Sequence, residues 1–286
     1  NVLTDLIDLS GDDGVFTDKD SLQHFGTDWT KTHQPDPLAI VFPRTTEQVQ
    51  ALVKLANKAS LALVPSGGRT GLSGGAVAAN KEIVVAFDRM NKLIAFNATD
   101  RSITCEPGVI TQQIQQIAQD NQLYYPVDFA SSSSSQMGGN IATNAGGIKV
   151  VRYGLTRNWV LGLKVVTGSG EILDLNKGLV KNATGYDLRH LFIGSEGTLG
   201  FITEATLGLT KPPKNLSVFV LGLNDVEGLM KVFEQFQHTL DVTAFDCFSD
   251  RTLHYVHTDK RIPLPFDTLA PYSALLEFAN NNQQRQ

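Results

Sequence analysis

Along the first 130 residues the hydrophobic positions switch repeatedly between two periods. Residues 38–42 (LAIVF) form a short apolar run stopped by Pro43, the pattern of a buried strand. Thr45, Thr46 and Glu47 then open a segment that sets Val49, Leu52, Val53 and Ala56 on one face, which predicts a helix with that face buried. Residues 61–64, 82–87 and 102–106 predict three further strands, and 111–121 a second helix. The pieces imply a small lobe built on a parallel sheet over about 38–130.

From about 131 the texture changes. Five consecutive serines, 131–135, are flexible by composition and lead into 137–147. Residues 160–167 and 171–174 alternate on either side of Gly168, Ser169 and Gly170, which predicts a tight hairpin. With a strand over 201–210, these make a second lobe, 131–212, rich in antiparallel pairing. Pro212 and Pro213 punctuate a boundary, beyond which 216–221, 226–237, 243–248 and 273–278 predict strand, helix, strand and strand. The expected class is α+β, with one domain over 1–212 and the start of an α/β cap over 213–286. A polar run, 280–286, follows the last strand without a closing element.

Composition narrows the function classes. With 286 residues, 42% apolar and 19% charged, the chain fits a globular protein rather than a disordered or fibrous one. A net charge of −5 argues against a nucleic-acid partner or an anionic membrane surface. Two cysteines, Cys105 and Cys247, are too few for a disulfide framework. No run reaches the roughly 18 apolar residues of a membrane span. The acidic start lacks the features of a signal peptide and begins with Asn, so a trimmed, soluble, intracellular chain is expected.

Glycine is the unusual residue. Of 25, five fall within 67–75 and thirteen within 138–200. In the loop PSGGRTGLSGG, residues 65–75, successive backbone N–H groups can form a concave nest for an anion such as a pyrophosphate. Thr70 and Ser73 would add hydroxyl donors, and Arg69 charge. A flexible loop without ligand is the plainer alternative. The Walker pattern GxxxxGK(S/T) occurs nowhere in the chain. The dinucleotide pattern GxGxxG fails in this loop, because Gly67 and Gly68 are adjacent and no helix is predicted to follow.

Beyond spacing, the residues themselves resemble a family. The loop 65–75, residues 126–128 leading into MGGNIATNAGG (137–147), RYG (152–154) and KNATGYDLRHLFIGSEGTLGFITEATLGLT (181–210) resemble the PCMH-type FAD-binding domain of the vanillyl-alcohol oxidase superfamily. With PRTTE at 43–47, the likeness covers about residues 20–212. The branch it points to is the D-2-hydroxyacid dehydrogenases, with D-lactate and D-2-hydroxyglutarate dehydrogenases and the glycolate oxidase D-subunit.

The resemblance implies a bound FAD extended between the two lobes. Its pyrophosphate would lie in Pro65, Ser66, Gly67, Gly68, Arg69, Thr70, Gly71, Leu72 and Ser73. Asp128, Met137, Gly138, Gly139, Asn140, Ala142, Thr143, Asn144, Gly147 and Tyr153 would follow the ribityl chain and flavin ring, with side-chain polar groups from Asn140, Thr143 and Asn144. Glu196, Gly197, Gly200 and Ile202 would reach the adenosine half. Asn182 and Asp187 read as turn residues. Some superfamily members bind FAD covalently through a His in the first loop. Here that loop has none, so the FAD is expected to be dissociable.

The implied reaction passes hydride from a D-2-hydroxyacid to flavin N5, with electrons going on to a quinone, a cytochrome or an electron-transfer flavoprotein. In that branch the base and a divalent-metal His pair sit in a C-terminal GDGNxH-like segment, which these residues lack. No catalytic residue is therefore named, and no metal site is expected in these residues. His254 and His257 read as surface residues, His190 carries no assigned role, and Cys105 reads as a small buried residue. The alternatives are a non-catalytic flavin or electron-transfer subunit completed by a partner chain, and an NADPH-using MurB-type reductase. The expected location is the cytoplasm, with a peripheral position at the inner face of the membrane as a variant. Exposed edges at 218–221 and 274–276 would favour self-association, or disorder after about 250.

Overall fold

The computed structural model describes residues 1–279, so the polar run 280–286 lies outside the described residues. In chain order the elements begin α1 (Val2–Ser10), β1 (Val15–Phe16), α2 (Lys19–Phe25), β2 (Ala39–Val41), α3 (Thr46–Ala59), β3 (Leu63–Ser66) and β4 (Ile83–Ala86). They continue as β5 (Leu93–Asn97), β6 (Ser102–Cys105), α4 (Thr111–Asp120), α5 (Met137–Ala142), α6 (Val150–Tyr153), β7 (Val160–Thr167) and β8 (Ile172–Leu175). Then come α7 (Arg189–Phe192), β9 (Gly200–Gly208), β10 (Leu216–Leu223), α8 (Val226–Thr239), β11 (Asp241–Ser249), α9 (Asp250–Lys260) and β12 (Tyr272–Ala279). No helix among the described residues is long and apolar enough to cross a membrane.

The chain forms two compact units. The first joins Asn1–Tyr125, Ala130–Ala145 and Thr156–Thr210, and the second joins Pro126–Phe129, Gly146–Leu155 and the chain from Lys211 onward. The stretches 126–129 and 146–155 thus sit with the second unit, although the sequence motifs group them with the first.

Two sheets build the first unit. One has the order β1-β2-β4-β3, in which β2, β4 and β3 run parallel and β1 is antiparallel. All four residues of β4 are buried, as expected for a strand covered on both faces. Thr45 caps α3 by accepting from the Gln48 N–H at 3.2 Å. The predicted face of α3 (Val49, Leu52, Val53, Ala56) is the buried one, and its first three residues join Leu6, Val41, Ile83 and Val85 in the core. Val166 and Phe201 from the second sheet enter the same cluster.

That second sheet is wholly antiparallel, in the order β5-β6-β9-β7-β8. The parallel-lobe expectation is corrected here, because β6, like β5, belongs to the antiparallel sheet. Ser102–Cys105 pairs with β9 in the register Ser102↔Gly208 to Cys105↔Ala205. The serine run is corrected too. Ser131–Ser135 is a closed turn, and Ser135, 1% exposed, bonds to the Thr111 hydroxyl at 2.7 Å.

The second unit contains the antiparallel sheet β10-β12-β11 with α6, α8 and α9. Lys149 pairs with Glu277 on β12, and Thr243 donates to the same carboxylate at 2.6 Å. Arg152 pairs with Asp241 at 2.8 Å. Residues 274–276 are not an open edge, because β12 is the central strand with neighbours on both sides. Among the described residues the chain is ordered after 250, where α9 and β12 follow. His254 and His257 are exposed on α9.

A candidate cofactor cleft in the first unit

The loop after β3 and the short helix α5 both line an open cleft. Counting its open mouth, its empty space is about 990 Å³. On the loop side lie Pro65, Gly67, Gly68, Arg69, Thr70, Gly71 and Ser73. Gly138, Gly139, Asn140, Ala142 and Thr143 line the helix side, and Glu196, Gly197, Gly200 and Ile202 the third. Sixteen of the expected cofactor residues therefore meet around one space.

Packing explains why the walls have this shape. A Cβ on Gly68 would stand 2.2 Å from the Ser134 carbonyl oxygen, so the loop lies flush against the serine turn. Trp29 N–H donates to the Gly71 carbonyl, and Gly74 N–H donates to Asp28 Oδ2 at 2.9 Å. The third wall is stitched to α5, where Gly194 and Glu196 N–H donate to the carbonyls of Ile141 and Ala142 at 3.0 and 2.9 Å. Arg157 reinforces this by donating to the Ile193 carbonyl at 2.7 Å, and its own N–H reaches Asn144 Oδ1 at 2.9 Å.

Several of these side chains have partners within the protein. The Arg69 guanidinium does not offer free charge. It pairs with Asp88 at 3.1 Å, donates to the Gly67 carbonyl and lies over the Phe25 ring. Asn144 is occupied by Arg157 N–H, and the Thr143 hydroxyl donates to the Gly139 carbonyl at 2.9 Å. The Asn140 amide nitrogen donates to Thr111 Oγ1 at 2.6 Å in a buried cluster. Met137 is fully buried with its N–H on the Val109 carbonyl, while Leu72 is 71% exposed. Ser66 ends β3 just before the cleft.

Asp128, Gly147 and Tyr153 belong to the second unit. There Gly147 is packed so closely that a Cβ would sit 1.6 Å from the Asp128 carbonyl oxygen. Burial, with Asp241 and Glu277 nearby, pushes the Tyr153 phenol up against the opposing Arg152 charge.

Asp28, Phe87, Pro107 and Gln136 also line the cleft from outside the quoted motifs, as do Ser195 and Phe201 from within 181–210. Asp28 is 2% exposed. Burial opposes its ionisation, but hydrogen bonds from Thr30 and Gly74 outweigh that and hold its carboxyl below the usual range. An Asp followed two residues later by Thr is a turn signal that could have marked it. Nothing local marks Gln136. Burial pushes the Cys105 thiol up to about 12, which suits a packing residue and not a nucleophile. Asp187 holds Arg189, whose guanidinium in turn donates to the carbonyls of Val160 and Leu161. Among the described residues no cluster of His, Cys, Asp and Glu could hold a metal ion.

The cleft lining fits a bound cofactor. Nothing lies within 4 Å of a Cβ built on Gly139, so that position opens into unfilled space. Gln136, 6% exposed on the cleft wall, carries a buried Oε1 without a hydrogen-bond partner. Such a group costs about 1–3 kcal/mol unless something satisfies it.

Comparison with known proteins agrees with this geometry. Residues 37–176 match the family model described as an FAD binding domain. The match shows an FAD-binding domain of the PCMH type over those residues, and FAD is the cofactor it supports. Over 271 residues it is 60% identical to a D-2-hydroxyglutarate dehydrogenase of Stutzerimonas stutzeri, covering 95% of this chain and 58% of that protein. It is 52% identical to a D-2-hydroxyglutarate dehydrogenase of Xanthomonas citri pv. viticola, covering 94% of this chain and 57% of that one. A solved alkyldihydroxyacetonephosphate synthase shares the fold, with a TM-score of 0.78 at 21% identity, over 97% of this chain and 55% of that chain. The chain thus spans little more than half the length of the curated relatives it matches.

Proposed function

We propose that this chain is the flavin-binding part of an FAD-dependent D-2-hydroxyacid dehydrogenase whose substrate is D-2-hydroxyglutarate. The observation that carries the reading is the 60% identity to a protein of that name across nearly the whole chain. FAD, when bound, supplies a two-electron acceptor. The chain's own residues hold it: the loop 65–73 offers backbone donors, Asp28 fixes that loop through Gly74, and Arg157 fixes the wall at 193–196. Because the loop contains no His, the cofactor is proposed to be dissociable. No residue of this chain is assigned as the base.

The electrons are proposed to leave to a quinone, a cytochrome or an electron-transfer flavoprotein. A quinone acceptor would favour a peripheral position at the inner face of the membrane, and the others the cytoplasm. Val218 and Phe219, 53% and 46% exposed on the edge strand β10, support self-association, which sedimentation checks. The substrate test is anaerobic flavin reduction of the FAD-loaded protein with D-2-hydroxyglutarate, D-lactate, glycolate and NADPH. The reading predicts bleaching with D-2-hydroxyglutarate foremost. Bleaching by NADPH alone would contradict it, and bleaching by none would favour a non-catalytic flavin subunit completed by a partner.

A further inference from the structure

The loop after β3 is rich in glycine, and each glycine adds conformers that ligand binding would have to freeze out. Arg69 stands in its middle with φ +58°, a left-handed conformation that is costly for a residue carrying a Cβ. Such a conformation persists where the surroundings hold it. Here the guanidinium supplies the hold. Nη2 and Nη1 reach the two carboxylate oxygens of Asp88 at 3.1 and 3.3 Å, a two-point fork. Nη1 also donates to the Gly67 carbonyl at 2.7 Å, two residues back in the same loop. The central carbon of the group lies 4.6 Å from the centroid of the Phe25 ring.

Both partners are anchored in the fold. Asp88 follows Phe87, which is buried and donates its N–H to the Ser66 carbonyl at 3.2 Å. Phe25, at the end of α2, packs against the cluster of Ile40, Phe42 and Val84 and meets the Phe42 ring edge-on at 4.9 Å. Neither residue belongs to the motifs that mark the cofactor domain. An arginine in an anion loop invites assignment as a phosphate ligand. This one has its charge balanced by Asp88, and its side chain is 16% exposed.

We propose that Arg69 and Asp88 are positioning residues, a clasp that holds the loop in its binding shape before FAD enters, with Arg69 making no contact to the phosphates. The proposal rests on FAD occupying the cleft. With the Gly67 carbonyl held by Nη1, the planar trans peptide also fixes the opposed N–H of Gly68, a residue of the cleft lining. Ordering that is complete in the apoprotein no longer opposes binding.

The test is a double-mutant cycle of Arg69→Met, Asp88→Ala and the two together. It is read by FAD titration, by chemical unfolding of each apoprotein and by amide hydrogen exchange of the loop. Methionine keeps much of the apolar stem beside Phe25. Each single change should weaken FAD binding about tenfold, and the double change by no more than either, because the partners act only together. Loop amides should exchange faster in all three apoproteins, while the unfolding midpoints stay near that of the parent. A direct contact between Arg69 and phosphate predicts the opposite for Asp88→Ala, which would free the guanidinium and hold or raise affinity. That result would overturn the proposal, as would additive losses in the double variant or loop exchange equal to the parent's. Shifted midpoints with unchanged affinity would reduce the clasp to a stabilising contact and overturn it too. In each of these cases FAD binding by the parent stands. If the parent apoprotein does not bind FAD, the cofactor reading itself fails, and this assignment fails with it.

Discussion

Gly68 and Gly139 line the same cleft from different walls, and their surroundings differ. The space beside Gly68 is already taken by protein, with the Ser134 carbonyl oxygen 2.2 Å and Ser135 Cα 2.9 Å from where a Cβ would be. Beside Gly139 there is nothing within 4 Å. One glycine lets the loop seat on the fold; the other leaves room for a ligand. Composition weights them equally, but substitution should separate them.

The largest effect is expected at Gly68→Ala. The added methyl cannot be accommodated without moving backbone, so apo stability should drop by about 1–3 kcal/mol. FAD affinity should fall at least a hundredfold, read by chemical unfolding and flavin titration. Parent-like values in both would erase the contrast between the two glycines.

Gly139→Ala should split those two readouts. Within a helix, alanine is favoured over glycine by roughly 0.5–1 kcal/mol, so the apoprotein should be as stable as the parent or slightly more so. The methyl enters the space assigned to the cofactor, and affinity should fall about tenfold or more. A matching loss of apo stability would show that Gly139 also serves packing.

The smallest effect concerns Asp28, which ties the loop through Gly74. Its folded-state pKa is depressed, so its stabilisation is complete above the ordinary carboxylate value and is lost as pH falls through the lower folded value. Loop ordering should therefore be constant near neutrality and weaken only below about pH 4. In Asp28→Asn the acid-sensitive part of the unfolding curve should flatten. An unchanged acid profile would remove Asp28 from the loop's support.

What the sequence discloses follows from the range of the interactions. The buried face of α3 is legible because Val49, Leu52, Val53 and Ala56 share a local period. The anion loop is legible because its glycines are contiguous. Strand β5 is not, since four of the five residues Leu93–Asn97 are exposed and carry no alternation. Ser135 looks like part of a flexible run because its partner, Thr111, lies 24 residues away. Arg69 looks like free charge until Asp88 is placed beside it. Gln136 has no local signature, since the glycine it lies against, Gly67, comes from a distant loop. The family motifs recover the cofactor all the same, as they encode those distant pairings together.

The central claim is that this cleft holds FAD and holds it without a covalent bond. The most direct measurement is equilibrium titration of the purified chain with FAD, followed by denaturation and separation of flavin from polypeptide. Saturable binding of one FAD per chain, weakened by Gly139→Ala and fully released on denaturation, is the predicted result. Absence of binding, affinity indifferent to Gly139→Ala, or yellow colour remaining on the denatured polypeptide would contradict it.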